Sequence, residues 1–134
     1  MHKVIKIIEA AATRDIELLN EETGTVDLCF DDSMLVSRQN FEFMREGKIY
    51  DCKIALFGHV VKQKTESCIE CKIIKDITIG KMNMIEVMVG QDIYYLSKNE
   101  LNGFYNGNTI LYEWTRKDLV QVNDVIHDVM LGEL

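Results

Sequence analysis

The sequence contains no proline and a single tryptophan, Trp114. Without proline, and without a Ser/Gly-rich or low-complexity tract, nothing in the chain announces a linker or a boundary, so its 134 residues read as one domain. No apolar run approaches the ~20 residues that a membrane span requires. The opening stretch carries Lys6, Glu9, Arg14 and Asp15, which interrupt the apolar core a signal peptide needs. With no export signal, the four cysteines are expected to be reduced thiols and the compartment cytoplasmic.

Several chemical signatures are also missing. Neither GxGxxG nor GxxxxGK[ST] spacing occurs, so no phosphate cradle is indicated. His2, His59 and His127 lie in no recognised nucleophile motif. The expectation is a protein that is not an enzyme and carries no cofactor. Asp31 and Asp32 stand at a strand end but lack the further oxygen ligands of a calcium loop, and read as a solvated acidic turn.

What the chain does have is β-rich patterning. Turn signals recur at short intervals, at "NEETGT" near Gly24, "VGQD" at Gly90 and "NGFYNGN" around Gly103 and Gly107. Runs rich in Ile, Val, Tyr and Phe lie between them, the signature of a meander of short strands. Residues 1–35 read as a three-stranded meander over 3–11, 15–20 and 25–31. Ile16 and Leu18 alternate on one side of Gly24, and Val26, Leu28 and Phe30 on the other. "SRQNFEFMREG" offers Ser37 as a cap and Gly47 as a stop, with Phe41 and Met44 spaced i, i+3, and suggests a short helix.

From Tyr50 the even positions Cys52, Ile54 and Leu56 are apolar; after Lys64 the odd ones, Ile69, Cys71 and Ile73, are. A hairpin turning at Gln63-Lys64 would set Leu56 opposite Cys71 and Ile54 opposite Ile73, with Gly58 as a bulge. On a strand, Cys68 and Cys71 point to opposite faces, which disfavours a CxxC metal or redox site. That register would also place His59 across from Cys68. Two ligands do not make a structural site, so no metal is expected.

"MIEVMVGQDIYYL" reads as a hairpin about Gly90-Gln91, with Ile85, Val87, Val89, Tyr94 and Leu96 on one face. "SKNE", Ser97 to Glu100, fits a helix turn, and "TILYEWT" alternates Ile110, Tyr112 and Trp114 as a strand. Val122, Val125, Ile126, Val129 and Met130 then fall at helical spacing, giving a short amphipathic helix over 122–131.

The expected fold is mainly β, α+β at most. It is a small OB-like or partly open antiparallel barrel over 47–116, with the N-terminal meander packed on it and the C-terminal helix covering one end. The OB likeness is one of strand order and bend, without a residue motif.

Two functions are compatible with this reading. The formal net charge is -7, with ten Asp/Glu against five Lys/Arg in residues 1–46 and eight against three in 82–134. Acidic ends, absent catalytic groups and exposed strand edges favour a non-catalytic module that binds another protein. Residues 47–81, however, carry seven Lys against four acids. The alternative is single-stranded nucleic-acid binding through the basic hairpin 48–79, using Lys53, Phe57, His59, Lys62, Lys64 and Lys72. Packing demand places Phe57 in the core; the alternative requires it exposed.

Overall fold

The computed structural model describes residues 1–101 and 108–132. It is mostly β. The strands are β1 (His2–Glu9), β2 (Arg14–Asn20), β3 (Val26–Asp31), β4 (Ile49–Tyr50), β5 (Cys52–Val61), β6 (Ile69–Ile79), β7 (Met82–Val89), β8 (Asp92–Ser97), β9 (Thr109–Val122) and β10 (Val125–Ile126), with one short helix, α1 (Ser33–Val36), among the described residues. They form a single sheet ordered β4-β1-β2-β3-β9-β5-β8-β7-β6, with β10 beside β9 and a further β6–β9 pairing. That last pairing curls the second half into a partial ring, β9-β5-β8-β7-β6. Among the described residues, no helix is long and apolar enough to cross a membrane.

The N-terminal meander forms, with Ile16 opposite both Ile7 and Cys29, but β3 buries the face opposite to the one its alternation predicts. The register sets buried Ile16 and Leu18 against Cys29 and Asp27, which are buried with them, and leaves Val26 and Leu28 exposed. Gly24 adopts φ +80 beyond the β2 end, as its turn requires. The β7–β8 hairpin is also as read: Val87 faces Tyr94 and Ile85 faces Leu96 across Gly90, whose φ is +61. Gly58 lies opposite a bulge, where β9 inserts one extra residue against the Phe57–Gly58 step, and a Cβ there would lie 2.0 Å from the Glu113 carbonyl oxygen. The "SKNE" turn is a 3-10 turn over Lys98–Leu101.

Three further expectations are overturned. The hairpin expected to turn at Gln63-Lys64 does not form. β9 lies between its two halves, with Tyr112 facing Val60 of β5 on one side and Ile69 of β6 on the other. β6 instead turns at Gly80-Lys81 into β7, so that Ile79 faces Met82. Alternation identified the buried faces of β5 and β6, but it is the same whichever strand is the partner.

The helix expected at Ser37–Gly47 is absent, and α1 lies before it. Phe41 and Met44 do reach the core. Phe41 is held by Arg14, which ion-pairs Asp31 at 2.8 Å and donates to the Phe41 carbonyl oxygen at 2.7 Å, and the Phe41 carbonyl also accepts from the Met44 amide. The 122–131 helix is absent as well. Val122 ends β9 opposite Cys52, Asn123 turns at φ +53, and Val125–Ile126 pairs back on β9. Only Asp128–Leu131 is helical, as a 3-10 turn stopped by Gly132 at φ +70. The helical spacing arose from a strand end, a turn and a 3-10 turn in succession. The turn expected around Gly103 and Gly107 lies outside the described residues.

The main core joins the meander to the ring interior through Val4, Ile16, Leu18, Ile54, Leu96 and Tyr112. A second cluster, with Ala55, Met84, Tyr95, Val120 and Met130, forms where the C-terminal segment covers the other face.

Candidate binding surfaces

β9 is fourteen residues long, and its two edges differ. One is paired with β5 from Val122 to Leu111. On the other, β6 takes residues 109–112, β3 meets it once at Phe30–Asp118, and β10 takes Gln121 and Val122. Among the described residues, no strand pairs with 113–117 on that side. The only ladder pair joining β3 to β9 is Phe30–Asp118, so the two strands splay towards Val26 and Trp114. The result is an open cleft lined by Val26, Leu28 and Phe30 on one wall and Trp114, Arg116 and Lys117 on the other.

Beneath the cleft lies a buried group of paired polar side chains. Lys117 donates to Asp27, and the Tyr94 hydroxyl donates to the second Asp27 oxygen at 2.7 Å. The Lys117 ammonium also lies 4.4 Å from the Trp114 ring centroid. Burial, followed by the Asp27 hydrogen bond and charge, pushes the Tyr94 phenol well up. The walls, by contrast, are apolar and open: Val26 and Leu28 are each 53% exposed and Trp114 40%. Trp114 has the parity of Ile110 and Tyr112, yet lies at the cleft mouth. β9 carries one extra residue, Thr115, opposite the Phe57–Gly58 step, and the resulting bulge turns the strand there.

At the far end, Arg116 is held in a fork by Asp118, with Nε–Oδ1 2.5 Å and Nη2–Oδ2 3.1 Å, and this contact holds its pKa above the ordinary value. Its guanidinium carbon stands 4.8 Å from the Phe30 ring centroid and 5.0 Å from that of Phe57. Phe30 and Arg116 form the wall between the cleft and a second cavity of about 330 Å³. That cavity contains an Asp32–His127 pair at 2.7 Å. The pair resembles half of a catalytic triad, but His127 Nδ1 accepts from the Val129 amide at 3.0 Å, leaving Nε2 to donate to Asp32. Both ring nitrogens are engaged, so the pair ties the C-terminal turn to the loop after β3 and has no nitrogen for a substrate.

Of the residues expected on a nucleic-acid surface, Lys53, Phe57 and His59 share the outer face of β5. Phe57 is 51% exposed rather than buried, its outward position covered only in part by Arg116. Lys53 Nζ lies 3.4 Å from Gln121 Oε1, and His59 Nε2 lies 3.2 Å from Glu113, not across from Cys68. Lys62 and Lys64 are exposed in the β5–β6 connection. Lys72 is not brought to the group: it pairs with Thr109 while Phe57 pairs with Arg116, seven positions along β9, or roughly 23 Å at the rise of a strand. Cys71 is buried, and burial pushes its thiol up to about 12. Among the described residues no group of three or more His, Cys, Asp or Glu could hold a metal ion.

The cleft was not legible in the sequence. Trp114, Arg116 and Lys117 read there as the end of a strand, and no spacing signal links them to Val26 and Leu28 some ninety residues earlier. No protein-family model, curated protein or solved structure matches the chain.

Proposed function

We propose that this protein is a non-catalytic module that binds an extended segment of another protein in the β3–β9 cleft. The observation that carries the reading is the cleft itself, a gap in the sheet with strand edges on both sides and exposed Val26, Leu28 and Trp114 on its walls. A strand-shaped guest would satisfy backbone groups along such an edge, while alternate side chains find the apolar walls. The Asp27–Lys117–Tyr94 bridge beneath the cleft favours this, because it fixes the spacing of the walls without needing the guest. The partial ring beside the cleft is read as OB-like: its five strands meet at one parallel junction, Ala55–Tyr95, and are antiparallel elsewhere.

The test is selection from a random displayed-peptide library, followed by titration against Trp114 fluorescence. Peptides that are enriched, perturb Trp114, and lose binding at least about tenfold on Leu28→Lys are the expected result, since a desolvated apolar contact is replaced by a charge. Failure to enrich any peptide, or enriched peptides indifferent to Leu28→Lys, would contradict the reading.

One observation favours a second reading, single-stranded nucleic acid on the β5 face: Phe57 is exposed with a guanidinium beside it, a platform on which a base can stack. Anisotropy of labelled oligonucleotides at low and near-physiological salt tests it. Binding that weakens steeply with salt and is lost on Phe57→Ala is expected; no binding at low salt would remove it.

A further inference from the structure

The cavity of about 330 Å³ beyond the Arg116 wall has a composition of its own. Its size is at the small end of the ~300–1,000 Å³ typical of ligand pockets. The apolar lining includes Ala55, Leu56, Met82, Met84, Val120 and Met130. Three methionines make that surface deformable, able to fit a flexible chain rather than one rigid shape. Among the described residues, the polar lining is Asp32, Glu100 and Asp118 against one cation, Arg116, with Ser97 and His127 besides.

The charges do not balance. Asp118 takes both arms of the Arg116 fork. Asp32 receives the His127 ring proton, and Glu100 meets the Tyr112 hydroxyl at 3.5 Å. Three carboxylates facing one guanidinium leave the mouth acidic, and low-dielectric walls concentrate that field. An anion would meet repulsion, and a purely apolar guest would leave the carboxylates unused.

We propose that this cavity is a binding site for a small amphipathic cation: a primary amine or guanidinium head between Asp32 and Glu100, with an aliphatic tail along Met82, Met84 and Met130. The site is separate from the peptide cleft, sharing with it only Phe30 and Arg116, and stands or falls without it. The tail supplies affinity by leaving water; the head supplies the choice between chemistries.

Hexylamine, hexanol and hexanoate, matched in tail length, are the probes, titrated into the full chain with ¹³C-labelled methionine methyls. Hexylamine is expected to move the Met82, Met84 and Met130 methyls saturably while leaving exposed Met1 and Met34 in place. It should bind about fivefold tighter than hexanol, the worth of a partly exposed ion pair of ~1 kcal/mol, with hexanoate weakest. Glu100→Gln should lower hexylamine affinity roughly three- to fivefold and leave hexanol unchanged. Asp32→Asn, which retains an oxygen for His127, should do the same. Equal binding of amine and alcohol, preference for hexanoate, failure of the three methyls to move, or indifference of hexylamine to both substitutions would each overturn the assignment.

Discussion

Along one edge of β9, residues 111–122 are laddered to β5; along the other, β6, β3 and β10 take turns and 113–117 have no strand partner among the described residues. The two edges belong to the same strand but are held by different means. The β5 edge rests on backbone hydrogen bonds and tolerates two bulges, one of which needs Gly58. The open edge rests on side chains, with Asp27, Lys117 and Tyr94 bridging below the gap and Arg116 joining Phe30 to Phe57 at its end. A continuous ladder leaves no room for a guest. An edge bridged by side chains keeps its backbone groups and apolar walls accessible, and it is there that we propose the binding surface.

The largest effect is expected on the side-chain edge. Asp27→Leu strands the largely buried Lys117 ammonium and removes the acceptor of Tyr94. It should cost about 3–5 kcal/mol in urea unfolding, as when one partner of a buried ion pair is removed. The double variant Asp27→Leu/Lys117→Met should recover much of that loss, because no buried charge then remains. No recovery would mean that the bridge acts through packing alone.

On the ladder edge, Gly58→Ala forces a methyl against the Glu113 carbonyl oxygen, 2.0 Å away if nothing moves. The expected loss is about 2–3 kcal/mol, with altered amide shifts on both β5 and β9. Gly24→Ala is milder: its Cβ would meet open space, so only the φ of +80 opposes it, at about 1 kcal/mol. A Gly58→Ala loss no larger than this would show that the bulge has freedom the close approach denies it.

Trp114→Ala should separate stability from binding. The side chain is 40% exposed, so unfolding should change by less than about 1 kcal/mol while affinity for cleft-selected peptides falls at least about tenfold. Comparable losses in both would make Trp114 structural.

The smallest effect concerns pH. The Ser67 and Thr65 hydroxyls donate to Glu113 at 2.6 and 2.7 Å, with Ser67 the larger cause, and hold its carboxyl below the ordinary 4.5. Because the folded value is depressed, the stabilisation is complete above that ordinary value and is lost as pH falls through the folded one. Unfolding curves of wild type and Glu113→Gln should therefore differ at pH 7 and converge in acid. A constant gap would mean the hydroxyl contacts do not depend on the charge.

Features set within a few residues were legible in the sequence. Gly24 and Gly90 marked turns because positive φ suits glycine, Gly58 marked a bulge, and Ile85, Val87, Tyr94 and Leu96 declared one buried face. Partners distant in sequence were not. β5 and β6 show the same alternation whether they pair with each other or with β9, and proximity in sequence favoured the wrong choice. The C-terminal spacing misled because Asn123 accommodates a φ of +53, so a strand end and a tight turn mimicked a helix. Its β-branched residues were the contrary signal. Phe57 read as core because apolar strand faces outnumber the sides of one sheet; Arg116, unconnected to it in sequence, offers the partial cover that lets it stay outside.

The most direct measurement is amide hydrogen exchange across residues 26–30 and 113–118, in the free protein and with a library-selected peptide bound. In the free protein, amides facing the gap should exchange far faster than those facing β2 or β5, and the peptide should protect them on both walls. Slow exchange across the gap in the free protein, or protection that appears elsewhere on binding, would contradict the cleft as the binding surface.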